Sequence, residues 1–111
     1  MRNPLLDHLE LVYKVALEIA DKKNHDYAGD QDPMANFRLA QSLGVASTAE
    51  AVFIRILDKI ARIARLLKTD PKVLDEGIHD TIRDTINYFA ILDYELTLIE
   101  DMGKNWDVAG Q

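Results

Sequence analysis

A chain of 111 residues, 48% apolar and 29% charged, holds enough apolar material for one core and is the length of one ordinary domain. Its 19 acidic and 13 basic side chains leave a formal net charge of −6, which disfavours long nucleic acids, whose affinity rests on neutralised phosphates. Cysteine is absent, which rules out disulfides and thiolate metal sites. No apolar run approaches a membrane span and Met1-Arg2-Asn3-Pro4 opens no signal-like stretch, so a cytoplasmic protein with no membrane partner is expected.

Leu5, Leu9, Val12, Ala16, Ile19 and Ala20 recur at three-to-four spacing behind Asn3 and Pro4, an N-cap and an N1 proline, and predict a first helix over about 4–24. His25 to Pro33 contains one glycine, one proline and three aspartates, a loop composition. A short helix over about 34–43 follows and ends before Gly44. Ser47-Thr48-Ala49-Glu50 matches the S-x-x-E capping box and opens a third helix over about 47–68, broken by Thr69-Asp70-Pro71. A fourth helix runs over about 72–102 to a stop at Gly103, leaving Trp106 in a tail. No period-two strand pattern occurs, so the expected fold is all-α, an antiparallel four-helix bundle in one domain. Its core is expected where Ile78, Ile82, Ile86, Phe89 and Leu96 face Val52, Ile56, Ile60, Ile63 and Leu67. Tyr88, Leu92, Leu98 and Ile99 are then left for a subunit interface in a homo-oligomer, a dimer or tetramer.

Glu76, Asp80 and Asp84 recur every fourth residue and Asn87 extends their row, so the four share one narrow helical face. Like charges at this spacing repel by a few tenths of a kcal/mol per pair, and the row needs a cation, a basic partner helix or solvent beside it. Arg55, Asp58, Lys59, Arg62 and Arg65 form a mixed, mostly basic row on the preceding helix. If the two helices are neighbours, Asp58, Glu76, Asp80 and Asp84 supply hard oxygen ligands for Mg²⁺ while Arg55, Lys59 and Arg62 hold phosphate oxygens, an arrangement suited to a nucleoside polyphosphate. A solvated charged face satisfies the same spacing, and both alternatives stand. His8 and His79 have no ligand partner at i+3 or i+4, which argues against a histidine metal site. The segment Lys22 to Tyr27, with Asn36-Phe37, mixes cations, amides and aromatics at one end of the bundle, where a loop can close over a base or ribose.

Lys23-Asn24-His25-Asp26-Tyr27, Asp32-Pro33-Met34-Ala35-Asn36-Phe37, Arg55 to Arg62 and Asp75 to Tyr88 together resemble the phage-associated family called nucleotide modification associated domain, type one, over about residues 22–92. That family is similar in helical plan to the all-α nucleoside triphosphate pyrophosphohydrolases of the MazG and dimeric dUTPase group, in which carboxylates on two helices hold Mg²⁺ and the α–β phosphate bond is split. The resemblance implies a nucleotide substrate and Mg²⁺, or Mn²⁺ in its place. It implies Glu76, Asp80 and Asp84 as metal ligands, joined by Asp58 as catalytic acids, with Lys23, Asp26, Tyr27, Asn36, Arg55, Lys59, Arg62 and Asn87 toward the nucleotide. The pattern departs from that group on both metal helices: the first carries E-x-x-E there, where this chain has Arg55-x-x-Asp58-Lys59, and the second carries E-x-x-D, where Glu76, Asp80 and Asp84 are spaced by four. A non-catalytic nucleotide-binding or scaffold module and a structural helical oligomer are the alternative functions.

Overall fold

The computed structural model describes residues 3–28, 34–69 and 77–110, with the side chains of 24–28 and 104–110 not included. The described residues form helices without strands: α1 (Pro4–Ala28), α2 (Ala35–Ser42), α3 (Thr48–Leu67) and α4 (Gly77–Gly110). Each start or stop has a local cause. Asn3 Oδ1 accepts the backbone N–H of Leu6 at 2.9 Å, which caps α1, and Pro4 sits where no intrahelical donor is needed. α1 runs through Ala28 rather than ending near Asn24, because no helix-breaking residue intervenes before Gly29 and Lys22 and Lys23 suit its C-terminal turns. α2 closes in a Schellman arrangement: the N–H groups of Gly44 and Val45 donate to Gln41 and Ala40 carbonyls, both at 3.0 Å, and Gly44 takes φ 72°, open to glycine without strain.

α3 opens on the capping box read in the sequence. Ser47 Oγ accepts the Glu50 N–H and Glu50 Oε1 accepts the Ser47 N–H, both at 3.0 Å. The Ser47 backbone N–H, and after it the Ser47 hydroxyl, hold the Glu50 carboxyl below its ordinary pKa, so its share of stability is present above the usual carboxylate range and fades as pH falls through the lowered value. Ser47→Ala should cost about 1 kcal/mol, read as a lower urea midpoint with an unchanged slope. Gln41 Oε1 accepts both the N–H and the hydroxyl of Thr48, at 2.9 and 2.8 Å, tying the end of α2 to the start of α3. α4 continues past Gly103, the expected stop; this glycine does not have positive φ, and a side chain there would meet only open space. Trp106 therefore lies within the helix rather than in a tail.

Pairings between α3 and α4 fix their direction. Arg62 meets Thr81, Lys59 meets Asp84, and Val52 and Ile56 share a cluster with Ile91 and Leu92, so numbers rise on one helix as they fall on the other. Among the described residues α1 packs on α4 and α2 mainly on α3, around this antiparallel central pair, with Phe37 and Arg38 of α2 also reaching Tyr88 and Glu95 of α4. The core is Met34, Val52 and Ile56, with Phe37, Tyr88, Ile91 and Leu92 packed against it.

The face that α4 turns inward differs from the expected one. Ile78 is buried, but Ile82, Phe89 and Leu96 are 36%, 46% and 43% exposed, and Ile60 and Leu67 on α3 are 45% and 67% exposed. Thr81, Thr85 and Glu95 are buried in their place. The threonines can do this because their hydroxyls donate back to the carbonyls four residues earlier, Thr81 to Gly77 at 2.7 Å and Thr85 to Thr81 at 2.6 Å, leaving only methyl groups to pack. Glu95 is held by Arg38 Nη2 at 3.4 Å, a pair with one buried and one half-exposed partner. Tyr88 and Leu92, expected at a subunit interface, pack inside instead.

Candidate functional site

The acidic row on α4 finds its counterweight on two other helices. Lys23 Nζ, from α1, donates to Asp84 Oδ1 at 2.8 Å, and Lys59 Nζ, from α3, lies 3.5 Å from Asp84 Oδ2. Lys23 and Asp84 are 61 positions apart in the chain, so only the packing of α1 on α4 brings them together. Asn87, one turn further, donates from Nδ2 to the Ala16 carbonyl at 2.9 Å and fastens α1 to α4. Its amide therefore serves the helix contact. Asp80, one turn before Asp84, is exposed, and Glu76 lies outside the described residues.

Lys59 has a second role. Its ammonium stands 5.0 Å from the centroid of the Tyr88 ring, between the ring and the Asp84 carboxylate, where an aromatic face attracts a cation. The Tyr88 ring in turn meets Phe37 edge-to-face, with centroids 6.2 Å apart and planes at 87°. Beside this pair a cavity of about 390 Å³ is lined by Asn36, Phe37, Ala51, Arg55 and Tyr88. It is within the size range of small-ligand pockets. Arg55 is exposed at its edge, one helical turn before Lys59.

The remaining residues singled out from the sequence fall elsewhere. Arg62 turns its Nε to Thr81 Oγ1 at 3.1 Å and so braces α3 on α4. Asp58 is exposed, about 160° around α3 from Ile56, whose side chain is fully buried. It does not join the α4 carboxylates. The side chains of Asp26 and Tyr27 lie outside the described residues. Phe37 lines the cavity beside Asn36, the pair read from the sequence toward a base or ribose, whereas Tyr88 was assigned to a subunit interface; its signal is its place at i+4 from Asp84.

A magnesium or manganese ion needs several hard oxygens converging at about 2.1 Å. Among the described residues no three of His, Asp or Glu gather in that way. Both oxygens of Asp84 face ammonium groups, and Asp58 stands on the outer side of its helix. The described acids thus do not fit such an ion, whereas one cation, Arg55, an amide and two aromatic rings line one cavity, and Lys59 stands against one of those rings. That set suits a ligand combining a flat ring with negative charge. No helix among the described residues is long and apolar enough to cross a membrane. Comparison with family models, with curated proteins and with solved structures gives no significant match, so the chemistry of the site rests on its own residues.

Proposed function

We propose that this protein binds a nucleotide, with the base against Phe37 and Tyr88 and the phosphates on Arg55, Lys59 and Lys23. The observation that supports this most is the position of Lys59, shared between an aromatic wall and an exchangeable carboxylate. In the free protein Asp84 holds the two lysines in place; a phosphate oxygen offers them the same partner and takes over when the nucleotide enters. Asn36 faces the same cavity and has both donor and acceptor atoms for a base edge or ribose. With a net charge of −6, the protein is suited to single nucleotides rather than to long nucleic acid. The same reading has it working as a homo-oligomer.

A second reading adds hydrolysis of a nucleoside triphosphate to monophosphate and pyrophosphate with Mg²⁺. It is favoured by the adjacency of Asp80 and Asp84 one turn apart, with Asp84 freed once phosphate occupies the lysines. The described acids do not form the ion's shell, so no catalytic step is derived from them.

Asp84→Asn separates the two readings by sign. If Asp84 is the anion that phosphate displaces, the variant should bind deoxynucleoside triphosphates several-fold more tightly than the parent, because the competing charge is gone. If Asp84 is a metal ligand, the variant should lose Mg²⁺-dependent pyrophosphate release. A thermal-shift panel of normal and modified deoxynucleotides, with and without Mg²⁺, measures the first. At a hundredfold excess over Kd, binding adds about 2.7 kcal/mol to stability. Failure of every nucleotide to raise Tm would overturn the binding reading.

A further inference from the structure

α2 is held on the molecule although none of its residues from Ala35 to Ser42 is buried. Side chains of its inner face make the attachment. Phe37 meets the Tyr88 ring edge-to-face, Arg38 Nη2 stands 3.4 Å from Glu95 Oε2, and Gln41 Oε1 accepts the N–H and hydroxyl of Thr48. The backbone of α2 lies along α3, so it is long side chains that carry it across to α4.

Position around the helix gives each contact a different duty. At about 100° per residue, Gln41 lies near the middle of the inner face, with Phe37 about 40° to one side and Arg38 about 60° to the other. Asn36 lies about 100° beyond Phe37, on the flank that lines the cavity. The two flanking contacts are also spread along α4, because Tyr88 and Glu95 are two turns, or about 10 Å, apart. Contacts on both flanks oppose a roll of α2 about its own axis. Without Arg38 on Glu95, Phe37 and Gln41 stand within about 40° of each other, and the helix can turn about them.

Cohesion alone is a poor account of the Arg38–Glu95 pair. Glu95 is 5% exposed, and its Oε2 makes no hydrogen bond among the described residues. Arg38 answers the charge at 3.4 Å, beyond the roughly 2.7–2.9 Å of a tight charge-assisted bond. Taking a carboxylate out of water costs more than so loose a pair returns, and apolar side chains of similar volume would hold the helices as well. What the pair supplies, and an apolar contact does not, is a fixed direction.

We infer that Glu95, acting through Arg38, is a positioning residue for the cavity: it fixes the roll of α2, and so the aim of Asn36 and the tilt of the Phe37 ring against Tyr88. The consequence for binding, which rests on the nucleotide reading above, is selective. Arg55 and Lys59 belong to α3 and Lys23 to α1, so they keep their places when α2 rolls. Glu95 therefore governs the hold on base and ribose and leaves the hold on phosphate as it is.

Replacing the pair by apolar side chains, Arg38→Met with Glu95→Leu, should leave the far-ultraviolet helix signal of the whole chain unchanged. Proton resonances of the Phe37 and Tyr88 rings and of the Asn36 side-chain amide should nonetheless shift in the free protein, since neighbouring rings feel each other's ring currents. By calorimetric titration the variant should bind the parent's best deoxynucleoside triphosphate about tenfold more weakly, and inorganic tripolyphosphate as the parent does. Glu95→Gln, which keeps the shape and removes the charge, should move the same resonances, and it carries the test if the double variant loses its helix signal. Unmoved ring and amide resonances, an unchanged nucleotide affinity, or an equal fall for nucleotide and tripolyphosphate would each overturn the inference. A parent that binds no nucleotide overturns the nucleotide reading and the effect on affinity with it, while the resonances of the free protein still decide whether Glu95 fixes α2.

Discussion

Ile56→Ala should lower the unfolding free energy by about 2–5 kcal/mol, the range for emptying a fully packed aliphatic site. Ile56 is fully buried at the centre of the cluster that joins Met34 of the α2 entry, Val52 of α3 and Tyr88, Ile91 and Leu92 of α4. Removing its branched side chain leaves a void where three helices meet, and Val52 and Met34 are themselves held by their neighbours and cannot collapse into it. For a domain stable by about 5–15 kcal/mol, such a loss removes a large share of the total. Urea unfolding followed by circular dichroism measures it as a lower midpoint. Ile60→Ala, one turn later but 45% exposed, should cost far less. Equal losses at the two positions would contradict the packing described.

Lys59→Ala should weaken nucleotide binding by about 10- to 100-fold, the equivalent of about 1.5–3 kcal/mol for a hydrogen bond to a charged group. The variant removes the ammonium that faces both the Tyr88 ring and the Asp84 carboxylate. Folding should be little affected, because Lys23 still holds the other oxygen of Asp84 at 2.8 Å. Calorimetric titration with a deoxynucleoside triphosphate gives the affinity, and the urea midpoint reports the fold. A parallel variant, Arg62→Ala, separates phosphate binding from helix bracing: Arg62 is engaged by Thr81, so it should lower stability more than affinity.

The helices were legible in the sequence where a local cap announced them. Ser47 and Glu50 specify the start of α3 through two hydrogen bonds within four residues, and Gly44 specifies the end of α2 by its backbone conformation. The inward face of α4 was not legible, for a physical reason. Counting apolar residues places Ile82, Phe89 and Leu96 in the core, yet Thr81 and Thr85 satisfy their own hydroxyls and can be buried at little cost, which releases the isoleucine and phenylalanine row to the surface.

The acidic row shows the same limit. Periodicity places Asp80, Asp84 and Asn87 on one side of α4, but what stands beside them depends on α1 and α3. Lys23 supplies the strongest contact from a helix at the far end of the chain, and Asn87 is used for fastening rather than for a ligand. The grouping of Arg55 and Lys59 was readable from their spacing, whereas their neighbourhood with Phe37 and Tyr88 follows only from the way α2 lies on α3.

Chemical-shift mapping of the labelled protein during titration with deoxynucleotides tests the central claim most directly. The nucleotide site described here predicts saturable shifts at Asn36, Phe37, Ala51, Arg55 and Tyr88 and at the Lys59 side chain, absent in Lys59→Ala at the same concentrations. Unmoved resonances at those residues with every nucleotide tried, or saturable shifts confined to another surface, would contradict it.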